Sequence, residues 1–137
     1  MLRDDCIFCK IAAGEIPSET VYEDENFRAI LDLAPASKGH TLILPKAHFQ
    51  DVTEIADPYA AKVLGIAAKI GNAMKKGLGC QGFNLVQNNG EAAGQTVMHF
   101  HMHVIPRYGE EEIVLWDPKP AKKEEMAVDG EKIRQAL

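Results

Sequence analysis

The sequence predicts an α+β fold in which helices cover an antiparallel sheet. Two observations favour this fold: residues 59–74 carry apolar side chains at helical spacing, and several short apolar or alternating runs are separated by turn residues. A length of 137 residues with 46% hydrophobic residues is enough for one compact core and too short for two ordinary domains. We therefore expect a single domain over residues 1–137.

The first half of the chain predicts short elements separated by turns. Gly14 ends a helical turn, and the turn residues 24–26 join two strands into a hairpin. An apolar run that follows a polar loop is typical of a buried strand. In order, these segments are a helical turn (6–13), a hairpin (20–23 and 27–31), a loop (32–39) and a strand (41–45).

The second half predicts the one long helix, followed by two strands. Asp57 is a typical N-cap, Pro58 suits the first helical position, and Gly77 and Gly79 supply the stop. Polar residues with a weak helical pattern close the chain. After the long helix, the expected segments are a strand (83–88), a turn-rich loop (89–95), a strand (99–105) and a terminal helix (121–136).

Charge and composition exclude several classes of partner. A net charge of -5 argues against nucleic-acid polymers and anionic membranes, because binding to both draws on clustered Lys and Arg. The start has no apolar signal region, and no run approaches the roughly 20 apolar residues that span a bilayer. We expect a soluble, cytoplasmic protein. Three cysteines without a secretion signal argue against a disulfide framework and leave metal binding or redox chemistry for Cys6 and Cys9.

His99, His101 and His103 alternate along the chain, so in an extended strand all three imidazoles project from one face. Neighbouring rings would start about 7 Å apart, where two charged imidazoles repel by about 2 kcal/mol at an effective dielectric near 20. The row therefore keeps at least one neutral, nucleophilic nitrogen at neutral pH. We interpret it as a reactive arrangement rather than as a packing one.

A catalytic zinc site is the alternative interpretation, since alternate histidines on a strand can share one ion. Such a site usually has a third ligand on another element and an acid or base nearby. The preceding loop instead offers neutral donors and backbone N–H groups, which suit an anionic phosphate. These loop residues are Asn88, Gly90, Gly94 and Thr96.

Residues 99–105 resemble the histidine triad motif, His-φ-His-φ-His-φ-φ with φ apolar, at every position. The resemblance covers residues 6–108, with further motifs at residues 6–11, 31–32, 39–41, 45–48, 88–90 and 94–96. On these residues the chain is similar to bacterial members of the histidine triad family of nucleotide hydrolases and transferases. The resemblance implies a five-stranded antiparallel sheet with one long helix, short terminal helices, and a homodimer whose sheets join side by side.

The resemblance implies the following mechanism. His101 would attack the α-phosphorus of a purine nucleotide and form a nucleotidyl-imidazole that water then cleaves. A backbone carbonyl beside the triad would hold its distal N–H, and His40 would lie behind it as a supporting residue. The phosphate would be held by His103 together with the loop residues Asn88, Gly94, Gln95 and Thr96.

The resemblance also implies a nucleoside site and a structural zinc ion. Asp32 would accept hydrogen bonds from the ribose; the alternative is a turn cap before Pro35. The base would be enclosed by Phe8, Ile11, Ile16 and Leu33, although apolar pocket residues and ordinary core residues look alike in sequence. The zinc ligands would be Cys6, Cys9, His48 and His99; the alternative is two unliganded cysteines. Cys80 has no visible partner.

The expected function is therefore hydrolysis of adenosine phosphoramidates or dinucleoside polyphosphates. Nucleotidyl transfer and a binding module with incidental turnover are the alternatives, and the sequence does not separate them. Gly65 and Gly71 would permit close packing of the long helix in a dimer. The variable tail, residues 109–137, lines the leaving-group side or covers the dimer edge. Its acidic residues 110–112 are typical of a solvated face.

Overall fold

An antiparallel five-stranded sheet forms the centre of the computed structural model, which describes residues 2–111 and 113–137. The expected hairpin and the buried strand after it lie at the predicted residues. The strands are β1 (Thr20–Glu23), β2 (Phe27–Leu31), β3 (Thr41–Pro45), β4 (Gly82–Val86) and β5 (Met102–Arg107). Their order across the sheet is β1-β2-β3-β5-β4, so β5 lies between β3 and β4.

Three helices complete the fold, α1 (Ile7–Ala12), α2 (Tyr59–Leu78) and α3 (Lys123–Ala136). The start of α2 differs from the prediction, because Pro58 rather than Asp57 is the N-cap residue. The Asp57 carboxylate still accepts a hydrogen bond from the Ala61 N–H at 3.1 Å. Ala61 is one residue further along the helix than the N–H groups that an N-cap at Asp57 would bind. Gly79 ends α2 with φ of 73°, a left-handed conformation that favours glycine.

The two faces of the sheet are covered by different helices. The apolar side of α2 packs on one face and forms the larger core, with Val63, Ile66, Ala67, Ile70 and Met74 against sheet residues such as Phe27, Ile43 and Val104. On the other face α1 contributes Ala12, which packs with Ile30, Leu42 and Leu44. All five residues of β3 are buried, which explains why this strand reads as a continuous apolar run.

The histidine row is not one strand. Only His103 belongs to β5, where it pairs with Leu42 of β3 and Val86 of β4. His99 and His101 lie before β5, where the Phe100 N–H donates to the Phe49 carbonyl at 2.6 Å instead of joining the sheet. The rings of His101 and His103 are consequently 5.1 Å apart between centroids, closer than an extended strand would place them.

The tail forms the predicted terminal helix, and every side chain that α3 carries is exposed. Of the acidic run 110–112, residue 112 lies outside the described residues. Among the helices of the described residues, none is long and apolar enough to cross a bilayer.

The glycines of α2 have different surroundings. A Cβ at Gly71 would lie 2.2 Å from Phe83 Cζ, so the close approach at this position is to β4 of the same chain. A Cβ at Gly65 would meet nothing within 4 Å. The structure thus accounts for Gly71 within one chain, and it leaves the expected role of both glycines in a dimer untested.

Alanine at these two glycines should have opposite effects on stability. We expect Gly71→Ala to lower the free energy of unfolding by about 1–2 kcal/mol, because the new methyl group must displace the Phe83 ring. Within one chain, where a Cβ at Gly65 meets nothing, Gly65→Ala should raise it by up to about 1 kcal/mol through helix propensity. Urea unfolding of both variants measures the difference, and equal stabilities would contradict this account of the packing between α2 and β4.

Candidate active site

His101 lies just before β5 with its ring tied to the backbone. Its Nδ1 is 2.8 Å from the carbonyl oxygen of His99. Because a carbonyl oxygen only accepts, Nδ1 carries the proton and donates it. In the neutral ring, Nε2 therefore keeps its lone pair and is the nitrogen that can act as a nucleophile. The structure contains the backbone carbonyl that the family resemblance led us to expect beside the triad.

A chain of hydrogen bonds sets the tautomers of two further histidines. The Ala36 N–H donates to His40 Nδ1 at 2.9 Å, so the proton of neutral His40 resides on Nε2. This Nε2 is 2.9 Å from Nδ1 of His103 and donates to it. His103 must then carry its own proton on Nε2, which becomes a hydrogen-bond donor next to His101. His40 therefore lies behind His103, and not behind His101 as expected.

Burial keeps these imidazoles neutral. Burial, together with the neighbouring His101 and His40, lowers the pKa of His103 to about 4, because a buried charge and a second positive charge are both disfavoured. Burial also lowers the pKa of His40, although the Asp32 carboxylate opposes this shift. At neutral pH both rings are uncharged, as their hydrogen-bonding roles require.

Asp32 lies at the edge of this group with its two oxygens in different roles. Oδ1 accepts the Ala34 N–H at 2.8 Å, which is the turn cap that the sequence offered as an alternative. Oδ2 is 3.6 Å from His40 Nε2. The cap therefore occupies one oxygen, while the other belongs to the histidine cluster.

The second cluster joins α1 to the segment before β5. Cys9 Sγ lies 3.3 Å from His48 Nδ1 and 3.4 Å from His99 Nδ1, and Cys6 Sγ is 3.5 Å from the same nitrogen of His99. The four possible ligand atoms are within 4.8 Å of one another. Burial raises the pKa of the Cys9 thiol and lowers that of His99 to about 4.

The Cys/His cluster (Cys6, Cys9, His48 and His99) fits a tetrahedral zinc ion. Bonds of about 2.3 Å to sulfur and 2.0–2.1 Å to nitrogen require neighbouring S and N ligands to be about 3.5 Å apart, close to the separations found here. His99 Nε2 is 3.1 Å from the Pro45 carbonyl, so it carries the proton and leaves Nδ1 free to bind a metal. Two thiolates would also balance the charge of a divalent cation.

Asp32, His40 and His103 also form a group of possible metal ligands, but their tautomers argue against a metal. Binding through His40 Nε2 would require the proton to reside on Nδ1, where the Ala36 N–H already donates. This group is consequently a series of hydrogen bonds, whereas in the Cys/His cluster the lone pair of His99 Nδ1 is directed at both cysteines.

The loop before the triad is held from within by Gln95, which is 2% exposed. Its Nε2 donates to the carbonyls of Gln50 and Val97, and its Oε1 accepts the Gly90 N–H at 2.7 Å. The side chain is thus fully engaged, which assigns Gln95 to the support of the loop rather than to direct contact with a ligand. Gly94 has φ of 91°, and its missing Cβ would lie 3.8 Å from the Asn88 amide.

The remaining candidates differ in how close they lie to the histidines. Thr96 is exposed and lines a surface depression beside Cys6 and His48. Phe8 packs edge-on against His101, with 5.0 Å between ring centroids. Ile11 packs against the smaller core, Ile16 is half-buried, and Leu33 is fully exposed.

Two of the backbone groups that orient the rings were not expected from the sequence, unlike the carbonyl beside His101. The Ala36 N–H fixes His40, and the Pro45 carbonyl fixes His99. Every residue offers a carbonyl and, except for proline, an N–H, so no residue type marks such a role. The only available signal was the position of Ala36 and Pro45 next to motif residues.

Two known proteins are similar to this chain over most of its length. The chain is 50% identical over 106 residues to protein hit of Bacillus subtilis, covering 77% of this chain and 73% of that protein. It is 41% identical over 134 residues to the adenosine 5'-monophosphoramidase of Schizosaccharomyces pombe, covering 96% and 98%.

Solved structures share the whole fold. A member of the HIT family from Bacillus subtilis matches with a TM-score of 0.88 at 42% identity, covering 98% of both chains. A zinc-bound histidine triad family protein from Mycobacterium smegmatis matches with a TM-score of 0.77 at 35% identity, covering 97% of this chain and 98% of that one.

The HIT domain model matches residues 13–110, which is most of the chain and includes β1 to β5 with all three triad histidines. The chain therefore belongs to the HIT domain family.

Proposed function

We propose that this protein is a nucleotide hydrolase that cleaves purine nucleotides at the α-phosphorus, with adenosine phosphoramidates or dinucleoside polyphosphates as substrates. The observation that carries the proposal is the His101 ring, whose Nδ1–H is held by the His99 carbonyl and whose Nε2 is left as a nucleophile. The relative from Schizosaccharomyces pombe, an adenosine 5'-monophosphoramidase, supports this class of reaction.

In the proposed first step, the Nε2 lone pair of His101 attacks the α-phosphorus. A P–N bond forms while the bond between phosphorus and the leaving group breaks. The leaving group departs with the electron pair of the broken bond and takes up a proton. Water then attacks the same phosphorus and gives up a proton, and the electron pair of the broken P–N bond returns to Nε2. The nucleoside monophosphate is released with His101 again neutral, and the proton lost by water balances the one gained by the leaving group. Because Nδ1 stays hydrogen-bonded to the backbone, the ring keeps one orientation through both steps.

The negative charge that develops on the phosphate oxygens requires donors that are already in place. His103 supplies its Nε2–H, held in that tautomer by His40, and is a donor without being charged. Asn88, Thr96 and the backbone at Gly94 are the proposed further donors. Gln95 acts indirectly, by holding the loop.

At the nucleoside end, we assign the ribose hydroxyls to Asp32, whose Oδ2 is not used by the turn cap. Phe8 lies against His101 and closes the base pocket on that side. Ile11, Ile16 and the exposed Leu33 complete the proposed pocket; burial of Leu33 by a base would give its exposed side chain a role.

We assign a structural zinc ion to Cys6, Cys9, His48 and His99, which the zinc-bound relative supports. When bound, the ion supplies a cross-link between α1, the segment after β3 and the segment before β5. His99 uses Nδ1 towards the cysteines and Nε2 on the Pro45 carbonyl, so neither nitrogen is free to act as a base.

The proposed functional unit is a homodimer in the cytoplasm. Two features of the monomer support a partner of the same kind: β4 is an edge strand of the sheet, and Leu64 of α2 and Leu85 of β4 are 63% and 41% exposed.

Replacement of the proposed nucleophile should separate binding from turnover. We expect His101→Ala and His101→Gly to lose turnover by at least about a thousand-fold, as loss of a catalytic nucleophile does, while nucleotide still binds. Mass spectrometry of wild type with a slow substrate should find a nucleotidyl adduct on His101 that both variants lack. Normal turnover in either variant would refute the assignment.

The proposed zinc site predicts that substitution of Cys9, but not of Cys80, changes the zinc content and the melting temperature. Protein purified without chelators should contain about one zinc ion per chain by elemental analysis, and Cys9→Ala should lose the zinc and melt at a lower temperature. Cys80→Ala is the matched control, because Cys80 is also buried but lies outside the Cys/His cluster. Zinc-free wild type, or equal zinc in Cys9→Ala and wild type, would count against the site.

The low pKa of His103 predicts acid sensitivity. In the unfolded chain His103 takes up a proton near pH 6.5, whereas in the folded protein it does so near pH 4. Its contribution to stability is therefore complete above pH 6.5 and decreases as the pH falls to 4, by no more than about 3 kcal/mol. Urea unfolding at several pH values should show a shallower decrease for His103→Gln. Parallel pH dependence in both proteins would contradict the prediction.

A further inference from the structure

The segment from Asp32 to His40, here named the histidine loop, is fastened to the end of β5 by two side chains. Ser37 Oγ donates to the Pro106 carbonyl at 2.6 Å. Tyr108 Oη donates to the Lys38 carbonyl at 2.5 Å. The base of the loop is closed by the Asp32 N–H, which donates to the His40 carbonyl at 2.9 Å.

These two bonds occur where regular pairing between strands stops. The last pair of β3 with β5 joins Thr41 to Val104, yet β5 continues to Arg107. Beyond Val104, the side of β5 that faced β3 would present unpaired backbone groups. Ser37 lies at this position and donates to the Pro106 carbonyl. The histidine loop therefore takes the place of β3 alongside the last residues of β5.

The same strand carries His103, three residues before Pro106. The histidine loop carries both the Ala36 N–H and His40, and these two groups decide which nitrogen of His103 holds the proton. The two fastening bonds therefore fix the loop relative to the strand whose histidine it orients. Ser37 is next to Ala36 in sequence, so a shift of Ser37 moves the N–H directly.

We propose that Ser37 and Tyr108 are positioning residues that hold the Ala36 N–H against His40 and thereby keep His103 as an Nε2–H donor. The effect on turnover rests on the proposed function, whereas the effect on the tautomer does not. A neutral imidazole can place its proton on either nitrogen, and its hydrogen-bond partner decides which one. Without the fastening bonds, His40 can reverse its role, and His103 then loses the donor that faces the substrate.

The experiment compares Ser37→Ala, Tyr108→Phe and the double variant with wild type. Tyr22→Phe is the matched control, because Tyr22 packs on the same core as Tyr108 and loses one comparable bond, to Asp24 at 2.7 Å, which does not involve the histidine loop. Ser37→Thr keeps the hydroxyl and should behave as wild type. All are measured by ¹⁵N NMR of the imidazole nitrogens at neutral pH, and by steady-state kinetics with an adenosine phosphoramidate.

In wild type and Tyr22→Phe, His103 should be protonated on Nε2 alone. In the double variant, part of the population should carry the proton on Nδ1, and kcat should fall about five-fold, which corresponds to about 1 kcal/mol, the net worth of one hydrogen bond, with KM changed less than about two-fold. If the double variant does not fold, the single variants give the same comparison with smaller changes.

An unchanged His103 tautomer in the folded variants overturns the proposal, whatever their turnover. The same follows if Tyr22→Phe alters the tautomer as much as Tyr108→Phe does, because the effect would then be one of general stability. A shifted tautomer in a protein whose wild type hydrolyses neither an adenosine phosphoramidate nor a dinucleoside polyphosphate supports the positioning role and refutes the proposed function instead.

Discussion

His99 is the residue through which the Cys/His cluster and the His101 ring are connected. Its Nδ1 is directed at two cysteines, its Nε2 at the Pro45 carbonyl, and its own carbonyl holds Nδ1 of His101. A rotation of this residue would disturb all three contacts at once. Because the side chain is fully buried, no water can replace a lost partner, and the cost of an unpaired group keeps the residue in place.

The candidate site depends on imidazoles that are neutral and have a defined direction. Carbonyls hold the protons of His99 and His101, whereas a backbone N–H starts the series through His40 to His103. These backbone groups belong to strand ends and loops whose positions are fixed by the sheet. The rings are therefore oriented before any ligand arrives, and binding does not have to supply the cost of ordering them.

Patterns of side chains predicted the elements of this fold well, because burial on one or both faces leaves a clear record in sequence. The run 41–45 and the apolar positions of α2 are examples. The alternation at 99–103 predicted one strand, and this prediction was wrong for His99 and His101. Only His103 lies in a strand, because the Phe100 N–H donates to the Phe49 carbonyl outside the sheet. The resemblance identified the cysteines and histidines that the fold brings together. The direction of each ring, the engagement of Gln95 and the position of His40 depended on backbone contacts that residue types do not encode.

Helix α3 has no buried side chain. Its formation therefore adds little to the free energy of unfolding of the rest of the domain. Isolated helices of about this length are marginal in water. Within one chain, α3 can therefore fray and re-form while the sheet and both histidine clusters stay intact. Changes in its sequence would be nearly silent in the folding equilibrium of the domain and would leave the hydrogen bonds of both histidine clusters in place.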